Sequence, residues 1–490
     1  MNQQYLTTDD RVTGFCLATG GSHGTPSRPG TGTCLYPIIS PMKPWIEKLL
    51  RTLGDEVVKT SPEALESRSR DESGLGPCLP EAVILPGNAG DVSAALRIAH
   101  EDGIPVYPRG AGTGLTGGAL AVKGGICVDM SRMNRVLEID PENLVAIVEP
   151  GVITGDLQRQ TEAMNLFYPP DPASLETCSI GGNLAENAGG PRALKYGLTV
   201  HYVLGLEIVV PGGETVWLGR KTKKGVTGYE LALAVVGSEG TLGVITRAAL
   251  RLIPLPPAVV TAMAFFPQEQ DACKAVGQMI REGILPRVME LVDGKGVSVI
   301  REHVDFALPE GAMLLLETDG PEEGALVEME QAAGFAEGHG ASQVLVANDE
   351  KRARELWSAR RSLAETMDEV WPGSADDDVC VPRSEIPGMV ARARDEAGKL
   401  GSELVIFGHA GDGNLHFKIK QDDPEKLRLT REAIYRIALD LGGSLTGEHG
   451  VGLLKKDYIS WELPRPSLEL QRNLKAIFDP KGIMNPGKFL

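Results

Sequence analysis

The sequence predicts an α+β protein made of two unlike units. From Leu79 to Leu252, short β-type runs alternate with turns and a few helices, whereas after Pro254 strands and helices alternate regularly. The Pro254-Leu255-Pro256-Pro257 stretch between the two patterns is a stiff linker and a natural boundary. A chain of 490 residues is also too long for one compact core, so two or three domains are expected.

The first unit, residues 42–254, is predicted to contain mainly strands and turns. Its helices are expected at Trp45–Leu53 and Ala89–Glu101, where apolar residues recur at helical spacing. The predicted strands are Ala82–Leu85, Ile126–Asp129, Val145–Pro150 and Leu206–Val210. Residues 1–41 are rich in Gly, Thr, Ser and Pro without periodicity, so we expect a disordered extension, with Met42 as an alternative translation start.

The second unit, residues 255–440, is predicted to be an α/β cap domain with a largely antiparallel sheet. Its predicted strands are Val259–Phe266, Arg287–Leu291, Met313–Glu317 and Gln343–Val346. Its predicted helices are Gln268–Arg281, Glu322–Ala336 and Glu350–Glu369.

Composition excludes several classes of protein. The net charge of −17 argues against nucleic acid or an anionic membrane as a partner. The seven cysteines are scattered without any C-x-x-C pair, which excludes an iron–sulfur domain or a zinc ribbon and suits a reducing cytoplasm. We find no run of ~20 apolar residues that could span a membrane.

The loop from Pro108 to Gly118 carries five glycines in eleven residues, so its amide groups are uncovered and can form a nest for phosphate. It contains a literal G-x-G-x-x-G from Gly112 to Gly117. A Rossmann site would need a helix opening at this loop, but residues 119–132 carry a glycine pair and a β-type run, so that interpretation is rejected. A tight turn without a ligand would be the better explanation if the loop stood alone.

Three further segments follow the loop in order: Pro170-Asp171-Pro172, Ser179 to Gly190 and Gly237 to Thr246. Together they resemble the flavin-binding segments of FAD enzymes of the vanillyl-alcohol oxidase type, in the branch that holds the glycolate oxidase FAD subunit, D-lactate dehydrogenase and D-2-hydroxyglutarate dehydrogenase. The resemblance runs from about Leu79 to Leu490 and implies a two-lobed FAD-binding domain, a cap domain, and a segment 441–490 that returns to the FAD domain.

The resemblance implies non-covalent FAD, because Thr113 stands where covalent relatives carry a histidine. The residues that it assigns to FAD are Pro108, Arg109, Gly110, Ala111, Gly112, Thr113, Gly114, Pro170, Asp171, Ser179, Gly181, Gly182, Asn183, Asn187, Gly189, Glu239, Gly240, Ile245 and Asn485.

A candidate metal site lies near the end of the second unit. Residues 403–419 are typical of two strands joined at Asp412-Gly413, and a two-residue turn there would set His409 directly opposite His416, with Cβ atoms ~4.5–5.5 Å apart. Two half-buried histidines without a metal are the alternative. Glu448 and His449 could join the site only if their segment turns, because neighbours on a strand point to opposite sides.

Two imidazoles and one carboxylate leave coordination positions open, as a catalytic ion requires. Zn²⁺ suits these ligands best, and Mn²⁺ and Fe²⁺ stay open. The resemblance implies the same set: His409, His416 and Glu448 hold a divalent metal and His449 is the catalytic base.

The function that the resemblance implies is oxidation of a D-2-hydroxy acid to the 2-oxo acid. The metal assists removal of the hydroxyl proton by His449, and the α-hydrogen leaves as hydride to flavin N5. The electrons then pass to a separate acceptor, which is an iron–sulfur subunit, an electron-transfer flavoprotein, a cytochrome or a quinone. We expect a cytoplasmic protein that reaches the membrane only through a partner, with a homodimer as one option for assembly.

The substrate is less well defined than the chemistry. Arg360 matches the family arginine that binds the substrate carboxylate, although Arg360 and Arg361 could also form an exposed helix face. The acids at 376–378 would repel a second carboxylate, which favours glycolate or D-lactate. Lys418, two residues after His416 on the same strand face, keeps D-2-hydroxyglutarate as the alternative.

Three other functions compete with this interpretation. A non-redox relative that makes an ether lipid does not explain Arg360 and the His-His-Glu set. A non-catalytic FAD electron-transfer subunit would not need an intact metal and base set. A metal-dependent hydrolase leaves the flavin-like segments unexplained.

Overall fold

The computed structural model of the protein describes residues 42–304 and 306–489. Within them the predicted α+β class is confirmed, since helices are interspersed with several β-sheets. The predicted disordered extension, 1–41, lies outside the described residues.

The part of the chain up to Pro254 consists of short strands and helices. Its strands are β1 (Val58–Lys59), β2 (Ala82–Ile84), β3 (Val106–Arg109), β4 (Ile126–Asp129), β5 (Val136–Asp140), β6 (Val145–Val148), β7 (Leu166–Phe167), β8 (Val203–Val209), β9 (Thr215–Gly219), β10 (Val244–Arg251) and β11 (Ile253–Pro254). Its helices are α1 (Pro44–Leu53), α2 (Pro62–Glu66), α3 (Ala89–Asp102), α4 (Thr154–Glu162), α5 (Ile180–Glu186), α6 (Ala193–Tyr196) and α7 (Leu231–Val235). Short 3₁₀ turns lie at Met130–Arg132 and Thr199–Tyr202.

These strands form three sheets among the described residues. One has the order β1-β2-β4-β3, with β2, β4 and β3 parallel and β1 antiparallel. The second has the order β5-β6-β10-β8-β9 and is antiparallel, and β11 pairs with β7 in the third. The glycine-rich loop leaves the carboxyl end of parallel strand β3, which is where open α/β sheets bind ligands.

The part of the chain after Pro254 follows the predicted alternation, with ends within a few residues of those expected. Its strands are β12 (Ala258–Phe266), β13 (Val288–Val292), β14 (Ala312–Gly320), β15 (Gln343–Val346), β16 (Ala375–Cys380), β17 (Glu403–Gly408) and β18 (Asn414–Lys420). Its helices are α8 (Glu269–Arg281), α9 (Gly294–Arg301), α10 (Glu322–Gly338), α11 (Glu350–Val370), α12 (Ile386–Leu400) and α13 (Pro424–Asp440), with a 3₁₀ turn at Arg383–Glu385.

Within the described residues, these strands make one antiparallel sheet of order β15-β12-β14-β13-β17-β18-β16, which confirms the predicted antiparallel sheet. Successive side chains on a strand point to opposite faces, so both faces carry apolar residues. Helices α8, α10, α12 and α13 pack on one face, and α9 and α11 pack on the other.

The last residues return to the first part of the chain. After α14 (Ile459–Glu462) and α15 (Arg465–Phe478), preceded by a 3₁₀ turn at Lys456–Tyr458, Met484 bridges Val106 on β3 and Asn485 N donates to Val106 O at 2.7 Å. Ile483 and Met484 are buried with the core of that part. The domain boundaries at 42, 254 and 440 stay predictions.

Candidate active site

One cavity of about 890 Å³ lies between the glycine-rich loop and the antiparallel sheet. Residues 108–115, 171–176 and 238–240 line one side of it. Helix α11, the β17–β18 hairpin and residues 448–449 line the other side. The cavity therefore brings together the predicted cofactor segments and the predicted metal and base residues.

The glycine-rich loop forms a cradle in which larger residues would not fit. A Cβ on Gly110 would lie 2.4 Å from Ser179 Oγ, and one on Gly112, whose φ is +83°, would lie 2.0 Å from Arg109 Nη2. Arg109 is buried and lines the cavity, and its Nη1 has no hydrogen-bond partner among the described residues. Exposed amides beside an unpartnered guanidinium suit a pyrophosphate, so these residues fit FAD.

Most residues predicted to bind FAD line this cavity: Pro108, Arg109, Gly110, Ala111, Gly112, Thr113, Gly114, Asp171, Ser179, Gly181, Gly182, Asn183, Glu239, Gly240 and Ile245. The other four predicted residues do not line the cavity. Asn485 Nδ2 donates to Glu239 O at 2.7 Å, Pro170 O accepts from Gln158 Nε2 at 2.7 Å, Asn187 Oδ1 accepts from Val200 N at 2.9 Å, and a Cβ on Gly189 would lie 3.1 Å from Glu448 Oε2.

His409, His416 and Glu448 form a compact cluster at the opposite wall. Each offers one ligand atom, and these atoms lie within 4.8 Å of one another. Glu448 Oε1 is 3.0 Å from His409 Nε2 and 3.4 Å from His416 Nε2. Two imidazoles and one carboxylate at this spacing are a ligand set that zinc accepts, so the residues also fit a divalent metal.

The predicted hairpin is present, but its register is not the one expected. His416 lies opposite Phe407, and residues 409–413 form the connecting loop, so His409 is in the loop and not on a strand. Two backbone hydrogen bonds hold this longer loop: Gly411 N donates to Met289 O on β13 at 3.1 Å, and Val381 N, just after β16, donates to Gly413 O at 3.0 Å. The two rings still meet, with centroids 5.1 Å apart.

Glu290 on β13 links the metal cluster to the predicted substrate anchor. Its carboxylate contacts His409 Nδ1 at 2.6 Å and Arg360 Nη2 at 2.7 Å. A carboxylate on the far nitrogen of a metal-binding histidine fixes the ring orientation. Burial raises the pKa of Glu290, but His409 and Arg360 outweigh it and lower the pKa to about 2.

The protonation of the cluster follows from its burial and charges. Burial lowers the pKa of His409, but the charges of Glu290 and Glu448 have a larger, opposite effect and raise the pKa to well above its usual value. Burial and the neighbouring His449 lower the pKa of His416 to about 3, which keeps that imidazole neutral. Burial raises the pKa of Glu448, but His409 outweighs it and the result is about 2.

His449 lies beside the cluster, because its segment turns as the shared site requires. Its ring stacks on His416 with centroids 5.0 Å apart, and its Nδ1 is 3.5 Å from Asp378 Oδ1. Since one ring nitrogen faces Asp378, the other is left for a ligand in the cavity. That arrangement suits an imidazole that accepts a proton.

Arg360 and Lys418 both line the cavity but differ in their partners. Arg360 is buried, stands 5.1 Å from the centroid of Phe407 and pairs with Glu290, so the alternative of an exposed face is wrong for Arg360 and holds for Arg361. Lys418 is held by Asp368 at 2.5 Å and Asp376 at 2.8 Å. Burial lowers the pKa of Lys418, but Asp376 and Asp368 outweigh it and raise the pKa above its usual value.

The acids at 376–378 do not act as one repelling cluster. Asp376 alone lines the cavity, and Lys418 compensates it. Asp377 and Asp378 are buried and pair with Lys455 at 3.0 and 2.5 Å. The expected repulsion is therefore weaker than the sequence indicated.

Sequence reasoning missed Glu290 and Glu186, and it gave Asp378 only the role of repelling a second substrate carboxylate. A single acid inside the apolar strand Val288–Val292 was the signal for Glu290, because buried charges need a partner. Glu186 lines the cavity with its Oε2 buried and without a partner among the described residues. Burial, with Glu239 adding to it, raises the pKa of Glu186 well above its usual value.

Two family models match the chain. Residues 80–219 match an FAD binding domain, and residues 255–489 match the FAD linked oxidases, C-terminal domain. The chain is 40% identical over 449 residues to glycolate oxidase subunit GlcD of Bacillus subtilis (strain 168), covering 90% of this chain and 96% of the relative. It is 34% identical over 459 residues to D-lactate dehydrogenase of Anaerostipes hadrus, again covering 90% and 96%.

The solved structure of 4-ethylphenol oxidase from Gulosibacter chungangensis superposes with a TM-score of 0.74 at 21% identity, covering 91% of this chain and 96% of that one. Together with the FAD-binding match, this confirms the predicted fold of the vanillyl-alcohol oxidase type.

These matches first define a flavoprotein that carries out oxidation or reduction. The chain belongs to the FAD-linked oxidase family, and it is an FAD-linked oxidoreductase, as predicted. Within the described residues no helix is both long and apolar enough to cross a membrane.

Proposed function

We propose that this protein oxidises a small D-2-hydroxy acid, with glycolate or D-lactate favoured, to the 2-oxo acid. The observation that carries the proposal is that one cavity holds both the glycine cradle and the His-His-Glu cluster with His449 beside it. A substrate in that cavity would lie between the flavin and the metal. The names of the two relatives, glycolate oxidase subunit and D-lactate dehydrogenase, support the substrate class.

The chain's own residues bind, orient and deprotonate the substrate. His409, His416 and Glu448 would hold a divalent ion, with zinc favoured, and residues of the glycine cradle would hold FAD without a covalent bond. When bound, the ion supplies Lewis-acid assistance to the substrate hydroxyl and FAD supplies a two-electron oxidant at N5. Arg360 orients the substrate carboxylate, and His449 takes the hydroxyl proton.

The pairing of cations in the cavity supports a monocarboxylate. Lys418 is the side chain that would bind a second carboxylate, but Asp368 and Asp376 already hold its ammonium group. Glu365 also lines this side of the cavity. A dicarboxylate would thus have to displace existing ion pairs, whereas glycolate or D-lactate would not.

The electrons would leave through a separate acceptor, either an iron–sulfur subunit, an electron-transfer flavoprotein, a cytochrome or a quinone. The sequence has no C-x-x-C pair for a cluster of its own, which supports a separate carrier.

The test is an anaerobic absorbance titration of the purified protein with glycolate, D-lactate, L-lactate and D-2-hydroxyglutarate. We expect the ~450 nm flavin band to bleach with glycolate or D-lactate, and expect EDTA to abolish the bleaching while the band itself remains. A flavin band that no 2-hydroxy acid bleaches would instead support the non-catalytic electron-transfer subunit. If EDTA left the bleaching unchanged, the oxidation would not depend on a metal ion.

A further inference from the structure

Asp378 is a fully buried carboxylate on β16 that lies behind the segment bearing Glu448 and His449. It does not line the cavity itself. Its carboxylate accepts hydrogen bonds from Thr446 Oγ1 at 2.9 Å, Gly447 N at 2.7 Å, Glu448 N at 2.8 Å, His449 N at 3.3 Å and Lys455 Nζ at 2.5 Å.

Three of these donors are consecutive backbone amides that converge on one oxygen, Oδ2 of Asp378. Convergence of successive N–H groups on one anion curls the backbone into a nest. An extended segment would send the side chains of Glu448 and His449 to opposite sides, whereas the curled one directs both into the cavity. The other oxygen, Oδ1, lies 3.5 Å from His449 Nδ1.

Lys455 offsets the cost of burying the Asp378 carboxylate, because its side chain is also fully buried and supplies the counter-charge. Its Nζ contacts Asp378 Oδ1 at 2.5 Å and Asp377 Oδ1 at 3.0 Å, and it donates to Leu445 O at 2.9 Å. The ammonium group therefore ties β16 to the start of the same segment.

We propose that Asp378, held by Lys455, is the positioning residue that folds residues 446–449 so that the metal ligand Glu448 and the base His449 share one site. The proposal rests on the proposed function for the roles of those two residues. Asp378 acts through the segment and does not touch the substrate.

The test compares Asp378→Asn with Asp377→Asn. Both aspartates are buried and both contact Lys455, but Asp377 bonds to Tyr435 and pairs with Arg431 instead of the 446–449 amides. We expect amide hydrogen exchange at 447–449 to become about tenfold faster or more in Asp378→Asn and to stay unchanged in Asp377→Asn. We also expect zinc affinity to fall about 10-fold to 100-fold and kcat to fall with it in Asp378→Asn alone, at unchanged FAD content.

The double variant Asp378→Asn/Lys455→Met guards against simple misfolding, because it removes both charges of the Asp378–Lys455 pair together while Asp377 keeps Arg431 at 3.2 Å as its counter-charge. It should fold, retain FAD and show the same faster exchange and weaker zinc binding. Equal exchange at 447–449 in the wild type and Asp378→Asn, or equal losses in Asp378→Asn and Asp377→Asn, would overturn the inference alone. A wild-type protein that binds no zinc and reacts with no 2-hydroxy acid would overturn the proposed function instead.

Discussion

At the scale of single residues, His449 has the clearest expected effect. Its ring stacks on His416 and its Nδ1 faces Asp378, which leaves the other ring nitrogen as the candidate to accept a proton. We expect His449→Gln to lower kcat by about 10² to 10⁴ because the proton acceptor is lost, without loss of FAD or zinc. Stopped-flow absorbance with D-lactate or glycolate measures the rate of flavin reduction.

The matched control for this substitution is His303→Gln, since His303 is an exposed histidine whose Nδ1 contacts Val299 O on the preceding helix, α9. It should leave the rate of flavin reduction unchanged. If His449→Gln kept the wild-type rate, another group would have to take the proton.

The pairing of Lys418 gives a prediction about substrate choice. Asp368 holds the Lys418 ammonium at 2.5 Å and lines the cavity. We expect Asp368→Asn to raise kcat/KM for D-2-hydroxyglutarate relative to D-lactate by about threefold to tenfold, because half of the competing charge is removed. Steady-state assays with both acids measure this ratio.

Asp395→Asn is the control for the change in charge. Asp368 and Asp395 are equally exposed, with 67% of each side chain accessible, and each pairs with a lysine. Asp395 lies on α12 and does not line the cavity, so its substitution should leave the ratio unchanged. An unchanged ratio in Asp368→Asn would show that Lys418 does not control entry of a second carboxylate.

The sequence could reveal the donor types of the site but not their partners. His409, His416, Glu448 and His449 were found from residue type and glycine spacing, and all line one cavity. Asp376, Asp377 and Asp378 read alike in sequence, yet one faces the cavity and two face Lys455. Such pairing depends on contacts between residues far apart in the chain, which local patterns do not encode.

At the scale of elements, the loop 409–413 sets the position of His409. Gly413 has a φ of +91°, and a Cβ there would lie 2.0 Å from Val381 O. We expect Gly413→Ala to destabilise the protein by about 2 kcal/mol or more and to weaken zinc binding, because alanine is strained at this φ and its Cβ would push the loop that carries His409 away from Val381. Thermal unfolding and a chelator competition for zinc measure the two effects.

Gly334→Ala is the control, because the same change from glycine to alanine is expected to stabilise the protein at that position. Gly334 lies within α10 with nothing within 4 Å of its Cβ position, so alanine should stabilise the protein by about 0.5–1 kcal/mol without affecting zinc. If both substitutions destabilised the protein, strain at Gly413 would not explain the loss of stability in Gly413→Ala.

The same loop shows what limited the prediction of elements. The Asp412-Gly413 pair correctly indicated a hairpin, but a two-residue turn would have placed His409 on a strand. The observed loop is longer because Met289 on β13 and Val381, just after β16, form hydrogen bonds with its backbone. Long elements such as α8 and β12 were predicted closely because hydrophobic periodicity determines them.

At the scale of the whole molecule, hydrogen bonds to the backbone of residues 449–453 join the two sides of the cavity. Thr116 Oγ1 of the glycine-rich loop donates to His449 O at 3.1 Å, and Leu453 N donates to Thr116 O at 2.8 Å. Glu239 accepts from Val451 N and Gly452 N, both at 2.8 Å. The segments proposed to hold FAD are therefore directly bonded to the segment proposed to hold the metal.

This connection predicts that FAD and zinc bind cooperatively. We expect the apoprotein freed of FAD to bind zinc at least about fivefold more weakly, because Thr116 and Glu239 are then less well ordered beneath residues 448–452. By linkage, removing zinc should weaken FAD binding by the same factor. Chelator competition measures zinc affinity with and without FAD, and quenching of FAD fluorescence measures the reciprocal arm. Re-adding FAD should restore the original zinc affinity, whereas equal zinc affinities in the two forms would show that the two sites are independent despite their shared hydrogen bonds.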